Sequence, residues 1–257
     1  MGDRTRIEWT NATWNPVTGC TRISAGCDNC YAATLAHKRL KAVYLRRRPS
    51  VDTQEHRTDP FAVRLWPERL AQLKRWREPR RVFVNSMSDL FHTHIPEEYV
   101  RRVFRVMLEA DHHLYQILTK RPGRALRFWQ RNADLFDGAA LPEHIWLGTS
   151  VELQEVAYRV EQLRQVPAAL RFLSCEPLLG PLEVNLDEVH WVIVGGESGV
   201  GHRPMDPAWA RSVRDQCVEQ GVPFFFKQWG GRTPKAGGRL LDGRTWEEYP
   251  AAAVAAV

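Results

Sequence analysis

The sequence lacks any long apolar run. No stretch of its 257 residues reaches the roughly 18 consecutive apolar residues that a membrane-spanning helix needs. The first residues, Met-Gly-Asp-Arg-Thr-Arg, also lack the apolar segment of a secretory signal peptide. We therefore expect no membrane partner and a cytoplasmic location.

The number of cysteines is small and odd. The five cysteines are Cys20, Cys27, Cys30, Cys175 and Cys217. An odd number in a chain without an export signal argues against a disulfide framework. Three of the five lie within eleven residues, a cluster that is typical of metal ligation in a reducing compartment.

Acidic residues are fewer than basic ones, and the formal net charge is +6. Basic runs occur at 46–48 and 74–81. This charge suits an anionic partner such as a nucleic acid or a nucleotide. It equally suits a solvated surface in an arginine-rich protein, so the net charge alone leaves both interpretations open.

Short apolar runs followed by helical patterns dominate the chain from residue 81 onward. Near-continuous runs of β-branched and aromatic residues are typical of strands that are buried on both faces of a parallel sheet. The runs are 81–89, 114–120, 145–150, 170–176, 190–196 and 222–228, and the helical patterns are 96–110, 122–132, 153–165 and 207–220. Their recurrence at intervals of roughly 20–35 residues is the length of a βα unit.

The regions on either side of these units are less regular. Residues 13–19 predict a first strand that runs into the cysteine cluster, 29–41 predict a helix, and 46–59 and 230–257 predict loops. We predict a single α/β domain over residues 1–257, with a partial or near-complete (βα) barrel of about six to seven parallel strands. A doubly wound open sheet is the alternative, because strand order cannot be read from a sequence.

The three clustered cysteines have the spacing Cys-x6-Cys-x2-Cys. Soft thiolates select iron–sulfur clusters or zinc. Three ligands would leave one iron of a cubane [4Fe-4S] cluster open to a cofactor or substrate. A zinc site would need a fourth ligand such as His37 or Cys175, and only Cys27 and Cys30 form the close pair of a zinc knuckle. We predict a [4Fe-4S] cluster on Cys20, Cys27 and Cys30, with zinc as the alternative.

A three-cysteine loop between a first strand and a series of βα units resembles the radical S-adenosylmethionine superfamily, whose usual spacing is Cys-x3-Cys-x2-Cys. Longer motifs resemble a phage-type family named after gene products thirty-seven and sixty-eight. The motifs are Trp9–Cys20, Ser174–Gly180, Val194–Gly199 and Phe226–Gly230, and the resemblance extends over about residues 7–232.

The superfamily resemblance implies an enzyme that uses S-adenosylmethionine and an external electron donor to generate a 5′-deoxyadenosyl radical. We expect the substrate to be a nucleic acid or a nucleotide, because the chain is basic and resembles phage proteins. The alternatives are a zinc-stabilised nucleic-acid-binding protein and a non-catalytic iron–sulfur sensor.

Polar residues at the ends of the predicted strands are the candidate cofactor ligands. The carboxyl ends of parallel strands meet at one edge, so these residues would line one mouth. The residues assigned to S-adenosylmethionine are Ser86, Ser88, Asp89, Lys120, Thr149, Ser150, Glu152, Gly195, Gly196 and Glu197. Several of them also have a structural interpretation as helix caps or turn residues.

Cys175 and Glu176 are the candidate catalytic residues at the end of a predicted strand. A thiol in this position could supply a hydrogen atom to a substrate radical or ligate a second metal. The alternative is a buried cysteine that packs as a small hydrophobic residue.

Overall fold

The computed structural model describes residues 5–251, which form nine strands. The strands are β1 (Ala12–Trp14), β2 (Val17–Thr18), β3 (Arg64–Leu65), β4 (Arg81–Val84), β5 (Leu114–Thr119), β6 (Ile145–Ser150), β7 (Arg171–Cys175), β8 (Trp191–Gly195) and β9 (Phe224–Gln228).

Seven of these strands form one parallel sheet in the order β1-β4-β5-β6-β7-β8-β9. Each strand pairs with the next one along the chain in this sheet, and the order never reverses. Between residues 5 and 251, β1 and β9 do not pair with each other, so the sheet is a half-barrel. This confirms the predicted α/β fold with about seven parallel strands, and the doubly wound alternative is wrong.

The helices follow the predicted pattern, and the last four of them cover the outer face of the half-barrel. In the described residues they are α1 (Tyr31–Lys38), α2 (Lys41–Tyr44), α3 (Gln54–Thr58), α4 (Glu97–Glu109), α5 (Pro122–Arg131), α6 (Tyr158–Arg164) and α7 (Pro207–Glu219). The start of α7 shows why a helix begins where the sequence predicts one. Asp206 Oδ1 accepts a hydrogen bond from Ala208 N at 2.8 Å, and Pro207 needs no partner for its nitrogen.

Two local predictions were wrong. The predicted first strand over 13–19 is divided at Pro16, so that β1 joins the main sheet while β2 pairs antiparallel with β3. The predicted loop at 46–59 contains the short helix α3, which the Thr53 side chain caps by accepting from His56 N at 3.2 Å.

The interior of the half-barrel is filled at its amino-terminal end by aromatic rings. Side chains alternate along each strand, so Ile145 and Leu147 face the helices while Trp146 faces the interior. The buried inner rings are Trp9, Phe83, Trp146, Phe172, Trp191 and Phe225, and we call this group the aromatic floor.

The carboxyl-terminal part of the described chain, residues 230–250, contains turns and isolated bridges without a helix or a strand. The rest of the predicted tail, residues 252–257, lies outside the described residues. No helix in the described range has both the length and the apolar character needed to cross a membrane.

Candidate functional site

The segment Gly19–Cys30, which we call the cysteine loop, lies across the carboxyl ends of the strands. Its first residue is fixed by geometry: Gly19 N donates to Met87 O at 2.9 Å, and the φ of Gly19 is 89°. A Cβ at this position would lie 2.2 Å from Ala62 O, so only glycine fits. The loop therefore enters the mouth of the half-barrel at one defined point beyond β4.

Asp89 connects the start of the cysteine loop to the end of β5. Its two carboxylate oxygens accept hydrogen bonds from Thr119 Oγ1 at 2.8 Å, Lys120 N at 3.0 Å and Arg121 Nη1 at 3.1 Å. The same Arg121 Nη1 lies 3.6 Å from Cys20 Sγ and donates to it. One buried carboxylate thus orients a guanidinium against a candidate ligand sulfur.

Glu152, just beyond β6, fastens the middle of the loop. Its Oε1 accepts from Gly26 N at 3.2 Å and from the Ser24 hydroxyl, and its Oε2 accepts from Arg159 Nη1 at 3.0 Å. Burial raises the pKa of Glu152, but Lys120, Ser24 and Arg159 together outweigh burial and hold that pKa below its usual value. Glu152 is therefore an ionised, fully paired carboxylate.

Glu197, two residues beyond β8, fastens the end of the loop. Its Oε2 accepts from Asn29 Nδ2 at 2.8 Å and from Arg203 N at 2.8 Å. The Arg203 guanidinium also binds Glu197, donates to Ala25 O at 2.9 Å and pairs with Asp28 at 3.4 Å. Burial raises the pKa of Glu197, and the bonds from Arg203 and Asn29 more than reverse this shift.

Asp89, Glu152 and Glu197 therefore hold the cysteine loop at three separate strand ends, and we call them the carboxylate clamp. The predicted convergence of strand ends on one mouth is confirmed for these three residues, because Glu152 and Glu197 bond to the cysteine loop directly and Asp89 reaches it through Arg121. The structure gives their carboxylates partners within the protein. Their predicted role as ligands of S-adenosylmethionine stays a prediction.

The three clustered thiols are free and partly exposed. Among the described residues, no three side chains of His, Cys, Asp or Glu lie close enough together to hold a metal ion. Burial raises the pKa of the Cys20 thiol to about 11, Asp89 and Cys27 add to this shift, and Arg121 opposes it. A soft metal can displace a proton from such a thiol, and by their chemistry three thiols on one loop are suitable donors for a thiolate-bound metal, which would draw the three sulfurs together.

Neither predicted fourth ligand of a zinc site is directed to the loop. Cys175 is completely buried in the cluster between sheet and helices that also contains Cys217, and burial raises the pKa of the Cys175 thiol. His37 Nε2 lies 3.6 Å from Asp59 Oδ1. Cys175 therefore occupies the position of a small core residue, on the opposite face of β7 from the interior.

The hydroxyl groups predicted to hold S-adenosylmethionine mostly bond to the protein. Ser88 Oγ donates to Val17 O at 3.0 Å, and Thr149 Oγ1 donates to a main-chain oxygen of β5 at 2.8 Å. Ser86 Oγ lies 3.1 Å from the Asn15 side-chain nitrogen, which donates to it. The hydroxyl groups of these three residues therefore have a structural role in hydrogen bonds within the protein.

Glu176 and Lys227 form an ion pair where β7 and β9 end. Gly195 lets the Glu176 side chain pack closely against the backbone at the end of β8, since a Cβ there would lie 3.3 Å from Glu176 Cδ. Gly196 is required by packing, because its Cβ would lie 1.9 Å from a main-chain oxygen just after β9. Ser150 at the end of β6 is also buried.

The residues of this site that were not predicted from the sequence include Asn29, Arg159 and Arg203. Asn29 lies inside the cysteine motif, and that position is a signal that could have identified it. The two arginines carry no comparable signal, because Arg203 is 178 positions away from its loop partner Ala25. Their role depends on the folded arrangement of the strand ends.

A protein-family model described as "Protein of unknown function (DUF5131)" matches residues 4–250. The chain belongs to this family. No curated protein and no solved structure matches the chain. The family match covers the whole range, about residues 7–232, for which the sequence motifs predicted a family resemblance. The phage relationship and the radical S-adenosylmethionine relationship stay predictions.

Proposed function

We propose that the protein binds a [4Fe-4S] cluster through Cys20, Cys27 and Cys30 and is a radical S-adenosylmethionine enzyme. One observation carries the proposal: a loop with three free thiols is clamped by strand-end carboxylates over the mouth of a parallel half-barrel. The other two cysteines are buried in the core beneath the helices. Three thiolates and no more are available to a cluster on this loop.

The chemistry supplied by such a cluster, when bound, is the one-electron reductive cleavage of S-adenosylmethionine. The chain itself positions and shields the site. Arg121 donates an N–H group to the Cys20 sulfur and offsets negative charge there. The carboxylate clamp holds the backbone of the loop, and the aromatic floor keeps water out of the half-barrel from below.

The Glu176–Lys227 pair provides the charged groups at the ends of the strands opposite β1. We propose that this pair contacts the substrate, because both side chains lie at strand ends and stay partly accessible to solvent, Lys227 to 15% and Glu176 to 20%. Cys175 has no role in this proposal, since its sulfur is buried on the other face of the sheet.

The test is the metal content of anaerobically purified protein. We expect about four irons and four sulfides per chain, the stoichiometry of one cubane cluster. Replacing Cys20, Cys27 or Cys30 by Ala should each abolish the cluster. The matched controls Cys175→Ala and Cys217→Ala should keep the iron and sulfide content of the wild type.

Two results would contradict the proposal in different ways. A colourless protein with one zinc per chain would support the zinc-stabilised nucleic-acid-binding alternative. Loss of the cluster in Cys175→Ala would indicate a fourth thiolate ligand, and with it an electron carrier or a sensor.

A further inference from the structure

The net positive charge of the chain is concentrated in one segment. Residues 20–50 contain seven Arg and Lys residues but a single acidic residue, Asp28. This segment alone therefore has a formal net charge of +6, which equals the net charge of the whole chain. Acidic and basic residues balance over the remainder. The segment comprises most of the cysteine loop, both helices that follow it, and the chain just beyond α2.

The cations of this segment face solvent. The apolar side chains Ala36 and Tyr44 pack α1 and α2 against the protein. Arg47 and Arg48 have acidic partners, Glu68 and Asp52. Within residues 5–251, four exposed cations of the segment have no acidic partner within ion-pair distance; they are Lys38, Arg39, Lys41 and Arg46. The helices thus present a cationic face that nothing in the described protein neutralises.

This cationic face begins beside the cysteine loop. Helix α1 starts at Tyr31, directly after Cys30, and its eight residues span roughly 12 Å. The Tyr31 residue is 52% exposed although its hydroxyl donates to Ser86 O at the end of β4. An aromatic ring accessible to solvent is therefore held at the rim of the mouth, with the unpaired cations leading away from it.

An exposed aromatic ring followed by unpaired cations is a combination that binds single-stranded nucleic acid, because a base stacks on the ring while the cations contact the phosphates. An acidic peptide would complement the cations but would leave the ring beside Cys30 without a role. A base pair inside a duplex does not expose its face for stacking. The charge and the ring together therefore favour one class of partner.

We infer that α1, α2 and the Arg46 region bind single-stranded nucleic acid, with phosphates on Lys38, Arg39, Lys41 and Arg46 and a base on Tyr31. This inference deepens the proposed function, since it names the substrate class of the site over which the loop lies. The binding surface would deliver a nucleotide to the mouth of the half-barrel.

The test uses fluorescence anisotropy with labelled single-stranded DNA and RNA of about 20 nucleotides and the full chain as purified under anaerobic conditions. Affinity should fall steeply with salt, because bound phosphates release counterions. Lys38→Gln/Arg39→Gln/Lys41→Gln should weaken binding at least about tenfold and reduce the slope of log affinity against log salt by about two. The matched control Lys74→Gln/Arg75→Gln/Arg77→Gln removes three exposed cations near the amino end of β4 and should change affinity less than about twofold.

The stacking role has its own pair of variants. Tyr31→Ala should weaken binding about tenfold, whereas Tyr31→Phe keeps the ring and should stay near the wild type. Equal loss in the two triple variants, binding that ignores salt, or competition by polyglutamate as strong as by the oligonucleotide would overturn the inference. The outcome is independent of the proposed chemistry, because binding requires no turnover, and release of 5′-deoxyadenosine is measured without nucleic acid.

Discussion

The two ends of the half-barrel are built from opposite kinds of side chain. The aromatic floor consists of buried rings in direct contact, such as Trp9 with Phe83 at 4.7 Å and Trp146 with Trp191 at 6.1 Å between ring centroids. The mouth consists of buried or half-buried carboxylates, each of which pairs with an arginine. Burial of rings stabilises a fold directly, whereas paired charges must first offset their desolvation.

This contrast assigns different roles to the two ends. We expect the floor to supply stability, and we expect the mouth to hold the cysteine loop in position. A substitution in the floor should change the free energy of unfolding and leave the chemistry of the folded fraction intact. A substitution in the mouth should change the loop, including in variants that stay folded.

The largest expected effect is in the floor. Trp191→Ala should lower the free energy of unfolding by about 3–5 kcal/mol, because it leaves a cavity among buried rings. Urea unfolding measures this change, and Tyr158→Ala, at an exposed ring, is the matched control with little effect. Iron per folded chain should not change. Loss of the cluster from a folded Trp191→Ala protein would remove the distinction between the two ends.

The next effect is at the clamp. Glu152→Gln leaves the buried Arg159 without its carboxylate, which should cost about 3 kcal/mol of stability. It should also loosen the cysteine loop, so that the thiols of the metal-free protein react faster with iodoacetamide. Glu155→Gln, at an exposed position three residues on, should do neither. Unchanged thiol reactivity in folded Glu152→Gln would contradict the positioning role.

The amino-terminal end should show a pH dependence of stability at His113. Burial lowers the pKa of His113 to about 4, and His112 and Arg80 add to this shift. Below about pH 6.5 the His113 side chain is protonated in the unfolded chain but stays neutral in the folded chain. The free energy of unfolding should therefore fall by about 1–3 kcal/mol from pH 6.5 to 4. His113→Gln should reduce this loss in urea unfolding at the two pH values. An identical pH dependence in the variant would exclude His113 as its source.

The smallest effect concerns the cluster environment. Arg121→Gln removes a positive charge and an N–H donor to Cys20 Sγ, so the midpoint potential of the proposed cluster should become more negative by about 30–60 mV. Arg127→Gln removes an exposed charge from α5, the helix that begins directly after Arg121, and should leave the potential nearly unchanged. Equal shifts in both variants would mean that net charge, and not the bond to sulfur, sets the potential.

The strands of the main sheet were predictable from β4 onward because their runs are buried on both faces, which leaves a continuous apolar signal. The antiparallel pair of β2 and β3 was not, since two-residue strands such as Val17–Thr18 carry almost no pattern. The convergence of Asp89, Glu152 and Glu197 followed from the rule for parallel strands. The partners Arg159 and Arg203 did not, because they lie seven and six positions after their carboxylates, intervals that mark no ion pair, and the pairing depends on the folded geometry.

The most direct test of the central proposal is the response of the reduced, cluster-loaded protein to S-adenosylmethionine. We predict that the cofactor changes the electron paramagnetic resonance spectrum of the reduced cluster and is cleaved to methionine and 5′-deoxyadenosine, in the wild type and in Cys175→Ala alike. Cys20→Ala should show neither effect. The proposal would be contradicted if the cofactor left the spectrum of the fully loaded, reduced wild-type protein unchanged and no 5′-deoxyadenosine were released.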